Sequence, residues 1–303
     1  MTKFTYYPGC SSQASAAHLD KSLRSTFERL GHSLNYIEDW NCCGASVGHI
    51  HTGHLMNSAL SARNLALAQE QGGAADVVSP CAACYLNTHY VNESIRGSEK
   101  LKDQLNEALG AAGKSYDGSL HVRHACEVLV TDVGKDKLAE AVRKPLTGLK
   151  VAGWVGCQTV RPFANTERGN NFDSYDQPTF LDDFITATGA EAVPFENKTA
   201  CCGGSVSVMD VNKSIHLMKR ILDEAAAAGA DVVATPCPLC QTNLEMYQTL
   251  INTRYGTTFN IPVVFYSQLL AVAFGLDPYE AAGLDQNIIR SEKLEAMGGA
   301  VGA

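Results

Sequence analysis

Short apolar runs alternate with longer stretches of helical periodicity along most of this chain. Runs rich in β-branched and aromatic residues occupy positions 4–7, 33–37, 76–79 and 120–123, then 150–155, 190–194, 231–235 and 261–265. Each reads as a strand. Amphipathic segments lie between them. In 54–71 the residues Leu55, Leu60, Leu65 and Leu67 recur, and in 211–228 the residues Ile215, Leu217, Met218, Ile221 and Leu222 recur, a spacing that suits helices with one buried face. Strand and helix in alternation predict an α/β fold with mainly parallel sheets flanked by helices. In such folds ligands gather at the carboxyl ends of the strands.

The pattern is written twice. Phe4-Thr5-Tyr6-Tyr7-Pro8-Gly9-Cys10 is echoed by Val151-Ala152-Gly153-Trp154-Val155-Gly156-Cys157, and Asn41-Cys42-Cys43-Gly44 by Ala200-Cys201-Cys202-Gly203. Asp76-Val77-Val78-Ser79-Pro80-Cys81-Ala82-Ala83-Cys84 is echoed by Asp231-Val232-Val233-Ala234-Thr235-Pro236-Cys237-Pro238-Leu239-Cys240. The expected organisation is two duplicated domains, 1–147 and 148–303, each large enough for its own core and the second ending in a short tail. The first half has 31 residues between its lone cysteine and the pair, the second 43. The difference falls in the polar, aromatic stretch 161–177, which reads as a loop insertion and a lid beside the second site. The tail, 284–303, is rich in small residues and is expected to fray or to be ordered by a partner.

Ten of the eleven cysteines obey the repeat: Cys10, Cys42, Cys43, Cys81 and Cys84, then Cys157, Cys201, Cys202, Cys237 and Cys240. Five thiols per half is one more than a tetrahedral zinc site or a four-cysteine cluster needs. Structural disulfides would require an oxidising compartment, yet the first residues run straight into a strand with no apolar signal segment, so a cytoplasmic location is expected. Zinc leaves one thiol of each Cys-Cys pair unexplained, although softness alone does not separate zinc from iron–sulfur ligation. Isolated core thiols would not fall in the same order twice. A thioredoxin-like exchange motif would use two cysteines per half and leave three idle. Pro80 and Pro236 end each strand just before Cys-x-x-Cys, so the following helix can aim its amides at an anionic cluster. Gly44, Gly203 and Gly204 let backbone come close to inorganic sulfide.

A formal net charge of -8 argues against nucleic acid, and no apolar run approaches the roughly 20 residues of a membrane-spanning helix. Gly44-Ala45-Ser46-Val47-Gly48 and Gly203-Gly204-Ser205 are too short and wrongly placed for a nucleotide loop. No ferredoxin-type cysteine run is present. Electrons therefore have to come from a partner.

The duplicated Cys, Cys-Cys-Gly, Cys-x-x-Cys arrangement resembles the cysteine-rich CCG domain pair of the heterodisulfide reductase B-subunit family. The likeness covers roughly 3–280 and includes Ser61-Ala62-Arg63-Asn64-Leu65, Arg161-Pro162, Leu181-Asp182-Asp183-Phe184-Ile185, Ala187-Thr188-Gly189-Ala190-Glu191 and Gln268-Leu269-Leu270. The resemblance implies two non-cubane [4Fe-4S] clusters at the strand ends. Cys10, Cys42, Cys43, Cys81 and Cys84 would hold the first, and Cys157, Cys201, Cys202, Cys237 and Cys240 the second. It further implies reductive cleavage of a disulfide, or its reverse, between two facing clusters, with a ferredoxin-like C subunit and a flavin-containing A subunit as partners in a hetero-oligomer. The substrate would be a heterodisulfide or, in sulfur-oxidising complexes of this type, a protein-bound sulfur compound such as lipoyl persulfide. Alanine-rich character and Gln241, where a histidine is expected, tilt the reading to the sulfur-oxidising type. The alternative is an electron-transfer subunit of a flavin-dependent 2-hydroxy acid or glycerol-3-phosphate oxidising complex.

Three features fall outside the repeat. Cys126 sits beside Val128 and Leu129 and reads as a packed core thiol. His124 reads first as a structural histidine and second as a proton donor toward nascent thiolate. His49, His51 and His54 read as a solvated helix start rather than a zinc site.

Overall fold

The computed structural model describes residues 2–45, 53–161 and 172–299. Strands β1 (Thr2–Tyr6), β2 (His32–Tyr36), β3 (Asp76–Ser79) and β4 (His121–His124) form one sheet in the order β2-β1-β3-β4. Strands β5 (Lys150–Gly153), β6 (Glu191–Ala192), β7 (Val232–Thr235) and β8 (Val263–Phe265) form a second in the order β6-β5-β7-β8. Every pairing is parallel. All eight apolar runs are therefore strands, and the two sheets have the same topology. The shortest, β6, stops ahead of Pro194, which has no N–H to extend a ladder. The predicted long helices span His54–Glu70 and Val211–Ala227, the latter capped by the Asp210 side chain accepting from the Lys213 N–H.

Each sheet covers one face with its own helices. Leu65, Val77, Tyr85 and Ile95 are buried together in the first half. Trp154, Met218, Ile221 and Leu244 are buried together in the second. The other two faces share a single core in which Phe4, Leu23 and Phe27 of the first half join Phe184, Tyr266 and Leu270 of the second. The expectation of a self-contained core in each half is thus met on only one side of each sheet. Helix Ala17–Arg29 lies against helix Tyr266–Ala273. Across that contact the Ser22 and Ser267 hydroxyls meet at 2.7 Å, and the Thr26 hydroxyl donates to the Ser267 carbonyl at 3.2 Å. Separating the halves would expose several large side chains at about 1.5–3 kcal/mol each, which locks the two cysteine sets into one geometry.

The tail departs from expectation. Leu284 and Leu294 are buried, helix Glu292–Gly298 is capped by Ser291, and the Ile288 N–H donates to the buried Glu245 carboxylate at 2.9 Å. Apolar residues at 284 and 294 close the shared core, so this segment through 299 is folded onto the body. Among the described residues no helix is long and apolar enough to cross a membrane.

Candidate functional site

All ten repeat cysteines stand in the loops that leave the carboxyl ends of strands or in the first turn of the helix that follows. Cys10 and Cys157 follow β1 and β5 after Gly9 and Gly156, whose φ angles are +76° and +77°. A Cβ on Gly9 would lie 2.6 Å from the Cys84 sulfur, and one on Gly156 3.2 Å from the Cys240 sulfur. Glycine is required at both places for the backbone to turn past a thiol. Cys81 and Cys237 are the N-cap residues of helices Ala82–Gly97 and Pro238–Met246, with Pro238 at the first helical position. Cys84 and Cys240 then fall one turn inside.

Hydrogen bonds on both sides hold the Cys-Cys-Gly loops. The Tyr7 hydroxyl donates to the Asn41 carbonyl at 2.8 Å, and at the corresponding position the Trp154 indole N–H donates to the Ala200 carbonyl at 3.1 Å. Asn87 donates to the Cys43 carbonyl at 3.1 Å, and Asn243 to the Gly204 carbonyl at 3.0 Å and the Cys202 sulfur at 3.4 Å. The Gly44 N–H approaches the Cys42 sulfur at 3.5 Å, and the Gly203 N–H approaches that of Cys201 at 3.3 Å. Beside these loops the Asn57 Oδ1 and Ser214 Oγ atoms are buried without a hydrogen-bond partner among the described residues. They stand where a Cβ on Gly44 or Gly203 would go. The sequence carried signals for both supports: an aromatic residue three positions before each lone cysteine, and Cys-x-x-Cys-x-x-Asn in each half.

The thiols are free and meet in pairs: Cys10 with Cys42 at 3.7 Å, Cys43 with Cys84 at 3.5 Å, and Cys202 with Cys240 at 3.7 Å. They are not gathered, three or more together, around one single-ion position among the described residues. Contact splits their acidities. Cys42 is driven toward thiolate by the Cys10 thiol, then by Cys43, while Cys10 is pushed up. Cys43 rises to about 11, chiefly through Cys42, and Cys84 rises chiefly through Cys43. In the second half Cys201 falls to about 6 through the Cys157 thiol, with Arg161 adding to the effect, and Cys157 rises.

The two sets touch. The Cys237 thiol is the main influence that drives Cys81 toward thiolate. For Cys237 the Cys240 thiol acts to lower the pKa, but Cys81 and burial outweigh it and push the value up to about 12. Cys10, Cys42 and Cys201 are exposed, Cys157 is half-buried, and the other six are buried. The arrangement is a sulfur-rich seam with its deep end at the junction of the halves and its thiol rim open to solvent. The donor set fits an iron–sulfur group: ten soft thiols, glycine-lined approach, and N–H donors on sulfur. Metal loading would displace the protons that the paired thiols now share.

His124 is fully buried and caps helix Ala125–Val128, its Nδ1 accepting from the Cys126 N–H at 3.1 Å. Burial lowers its pKa to about 3, so the ring is neutral and serves as a cap rather than as a charged proton donor. Cys126 lies in the shared core, its thiol pushed up by burial beside the Tyr266 hydroxyl. His54 begins the helix His54–Glu70 and packs edge-on against Tyr90 at 5.9 Å, while His49 and His51 lie outside the described residues. Of the expected lid, residues 162–171 lie outside the described residues. Asp173 accepts from the Thr179 and Phe180 N–H groups at 2.6 Å each and starts the next helix.

The chain matches the cysteine-rich CCG domain twice, over residues 4–88 and 151–245. It is 35% identical over 293 residues, 96% of this chain and 99% of the relative, to the 8-methylmenaquinol:fumarate reductase membrane anchor subunit of Wolinella succinogenes. It is 29% identical over 293 residues, 96% of this chain and 95% of the relative, to the B subunit of the ferredoxin:CoB-CoM heterodisulfide reductase of Methanosarcina mazei. A protein of Archaeoglobus profundus described as similar to the heterodisulfide reductase B subunit is 30% identical, covering 94% of each chain. A hypothetical protein from Helicobacter pylori, solved by crystallography, superposes with a TM-score of 0.74 at 17% identity and shares the fold. The match covers 95% of this chain and spans about half, 52%, of that one. With both halves matching the same cysteine-rich domain and full-length relatives among reductase subunits, this chain belongs to the CCG-domain family that includes the heterodisulfide reductase B subunits.

Proposed function

We propose that the chain is the iron–sulfur subunit of a heterodisulfide-reductase-like oxidoreductase. Residues 1–147 and 148–303 would be its two copies, and each would hold one non-cubane [4Fe-4S] cluster on its five cysteines. The observation that carries this reading is the packing of the two cysteine sets against each other: Ala82, next to Cys81, is buried in one cluster with Cys202, Cys237 and Cys240. Cleaving a disulfide needs two electrons and two protons and releases two thiols, and sites that adjoin across a duplicated interface can each receive one sulfur. Bound iron–sulfur groups would supply one-electron chemistry and a soft acceptor for sulfur.

The rest of the task falls to this chain's residues. Tyr7, Trp154, Asn87 and Asn243 hold the Cys-Cys-Gly loops, the glycine N–H groups stabilise negative charge on sulfur, and six buried cysteines keep water from the deep end. The exposed thiol rim gives substrate its approach. The substrate is a heterodisulfide or a protein-bound sulfur compound, and electrons pass through a ferredoxin-like subunit and a flavin-containing subunit of the same cytoplasmic assembly.

A second reading is an electron-carrying subunit whose substrate binds elsewhere in its complex. The membrane-anchor name of the Wolinella relative favours it, as do Met56, Val208 and Met209, apolar and exposed just beyond the two Cys-Cys-Gly loops. Anaerobic purification with iron, sulfide and zinc analysis, followed by EPR on thiol addition, separates the two. About eight irons per chain and a thiol-sensitive signal support disulfide chemistry. A signal indifferent to thiol supports the electron carrier.

A further inference from the structure

The two halves treat one pair of equivalent arginines differently. Arg63 is the tenth residue of helix His54–Glu70, and Arg220 is the tenth residue of helix Val211–Ala227. The fourth residues of these helices, Asn57 and Ser214, take equivalent places beside Gly44 and Gly203, which confirms the register. Arg63 is paired: its guanidinium meets the Asp39 carboxylate and donates to the Asp39 carbonyl at 2.7 Å and the Asn41 Oδ1 at 3.0 Å. In the second half Lys198 stands three residues before the cysteine pair, where the first half has Asp39, and it is occupied with Asp182 and the Pro178 carbonyl. Arg220 has no ion pair or hydrogen bond among the described residues.

Arg220 faces a cavity of about 320 Å³ that also receives Arg161 and the Cys201 thiol. Arg161 is anchored by the Tyr175 carbonyl at 3.2 Å and the Thr199 hydroxyl at 2.8 Å, neutral partners, and its charge acts on the neighbouring Cys201 thiol. The residue at the corresponding place in the first half, four after the lone cysteine, is Ala14. Asp176 and Glu196 line the same cavity, but neither is within ion-pair reach of either guanidinium among the described residues. Thr199, Ala200 and Leu217 complete a concave wall of small-molecule size rather than a flat protein contact.

We propose that this cavity of the second half binds the oxyanion end of the sulfur substrate: a carboxylate, sulfonate or phosphate carried by the thiol that reacts at the Cys157/Cys201 side. Guanidinium forks match such oxyanions in geometry as well as charge. A substrate with one anionic and one different end would therefore bind the duplicated seam in one orientation. The inference rests on the sulfur reading above, so its test begins with a ligand that carries no sulfur.

Inorganic phosphate is titrated calorimetrically into the anaerobically purified full chain and into Arg220→Gln, Arg220→Lys and Arg63→Gln. Phosphate should bind about tenfold more weakly to Arg220→Gln, with partial recovery in Arg220→Lys and no change in Arg63→Gln. By EPR, 3-mercaptopropionate should act at lower concentration than uncharged 2-mercaptoethanol, and Arg220→Gln should erase that preference. Equal phosphate affinity across all four proteins, with the thiol response intact, would overturn the anion site and spare the sulfur reading. Normal phosphate behaviour with neither thiol altering the signal would overturn the sulfur reading instead.

Discussion

In the first half, Arg63 is clamped by Asp39 and closes the outer wall behind its cysteine loop; in the second, Arg220 occupies the same turn of the equivalent helix and is left facing a cavity. The halves otherwise agree in sheet order, positive-φ glycine before the lone cysteine, loop-holding aromatic residue and helix asparagine. Duplication preserved the parts that position sulfur, and divergence touched the charges behind them. Exchanging Asp39 for Lys198 is enough to change a paired guanidinium into an open one, because the new ammonium finds Asp182 and cannot satisfy an arginine.

The largest effects should come from the cysteines that the halves share. Cys43→Ser and Cys202→Ser should each remove about half the iron and lower disulfide turnover by at least about 10²-fold if both sites act together, as judged by metal analysis and single-turnover assay. Loss of iron in both variants with turnover lost in only one would break the equivalence. Gly9→Ala and Gly156→Ala come next. Both incur about 1–2 kcal/mol of left-handed backbone strain, but the added Cβ lies 2.6 Å from sulfur in the first case and 3.2 Å in the second. The first substitution should therefore lower the melting temperature and iron retention further than the second.

Glu245 sharpens the comparison by pH. It lies five residues past Cys240, where the first half has His89 stacked on Tyr85 five residues past Cys84. Burial raises the Glu245 carboxyl from 4.5 to about 7. Unfolded chains lose this proton near pH 4.5 while the folded chain keeps it, so the associated stability is complete below pH 4.5 and is lost as pH rises toward about 7. The effect is at most about 3 kcal/mol. Glu245→Gln should flatten the decline of melting temperature across that window, and an unchanged slope would refute the assignment. The smallest expected difference is between the arginines: Arg63→Gln should cost about 1 kcal/mol in denaturant unfolding, since its ion pair is partly exposed, and Arg220→Gln less than about 0.5 kcal/mol.

Much of this organisation is carried by local pattern. Runs such as 76–79 and 231–235 lie between turn signals, and the structure makes strands of all eight such runs; Pro80 and Pro236 mark where strand gives way to the cysteine-bearing helix. The order of the ten cysteines was equally visible, because their spacing follows from topology that the repeat announces. The tail misled because its small residues suggest fraying, while Leu284 and Leu294 find a core contributed by distant segments. His124 next to Cys126 suggested chemistry, yet the ring caps a helix in a place that solvent does not reach.

The amino-acid order by itself determined the α/β class, the duplication, the strand-end placement of the thiols and the glycines that let backbone pass them, since each depends on residues a few positions apart. Only the tertiary structure decided that the faces of both sheets fuse into one core, that the Cys81 helix start packs beside Cys237, and that Arg220 is left open while Arg63 is paired. These are outcomes of how two packed halves are rotated against each other and of which partner reaches a charge first. Such long-range contacts are set by the packing of the whole chain and leave no period or spacing to read along it.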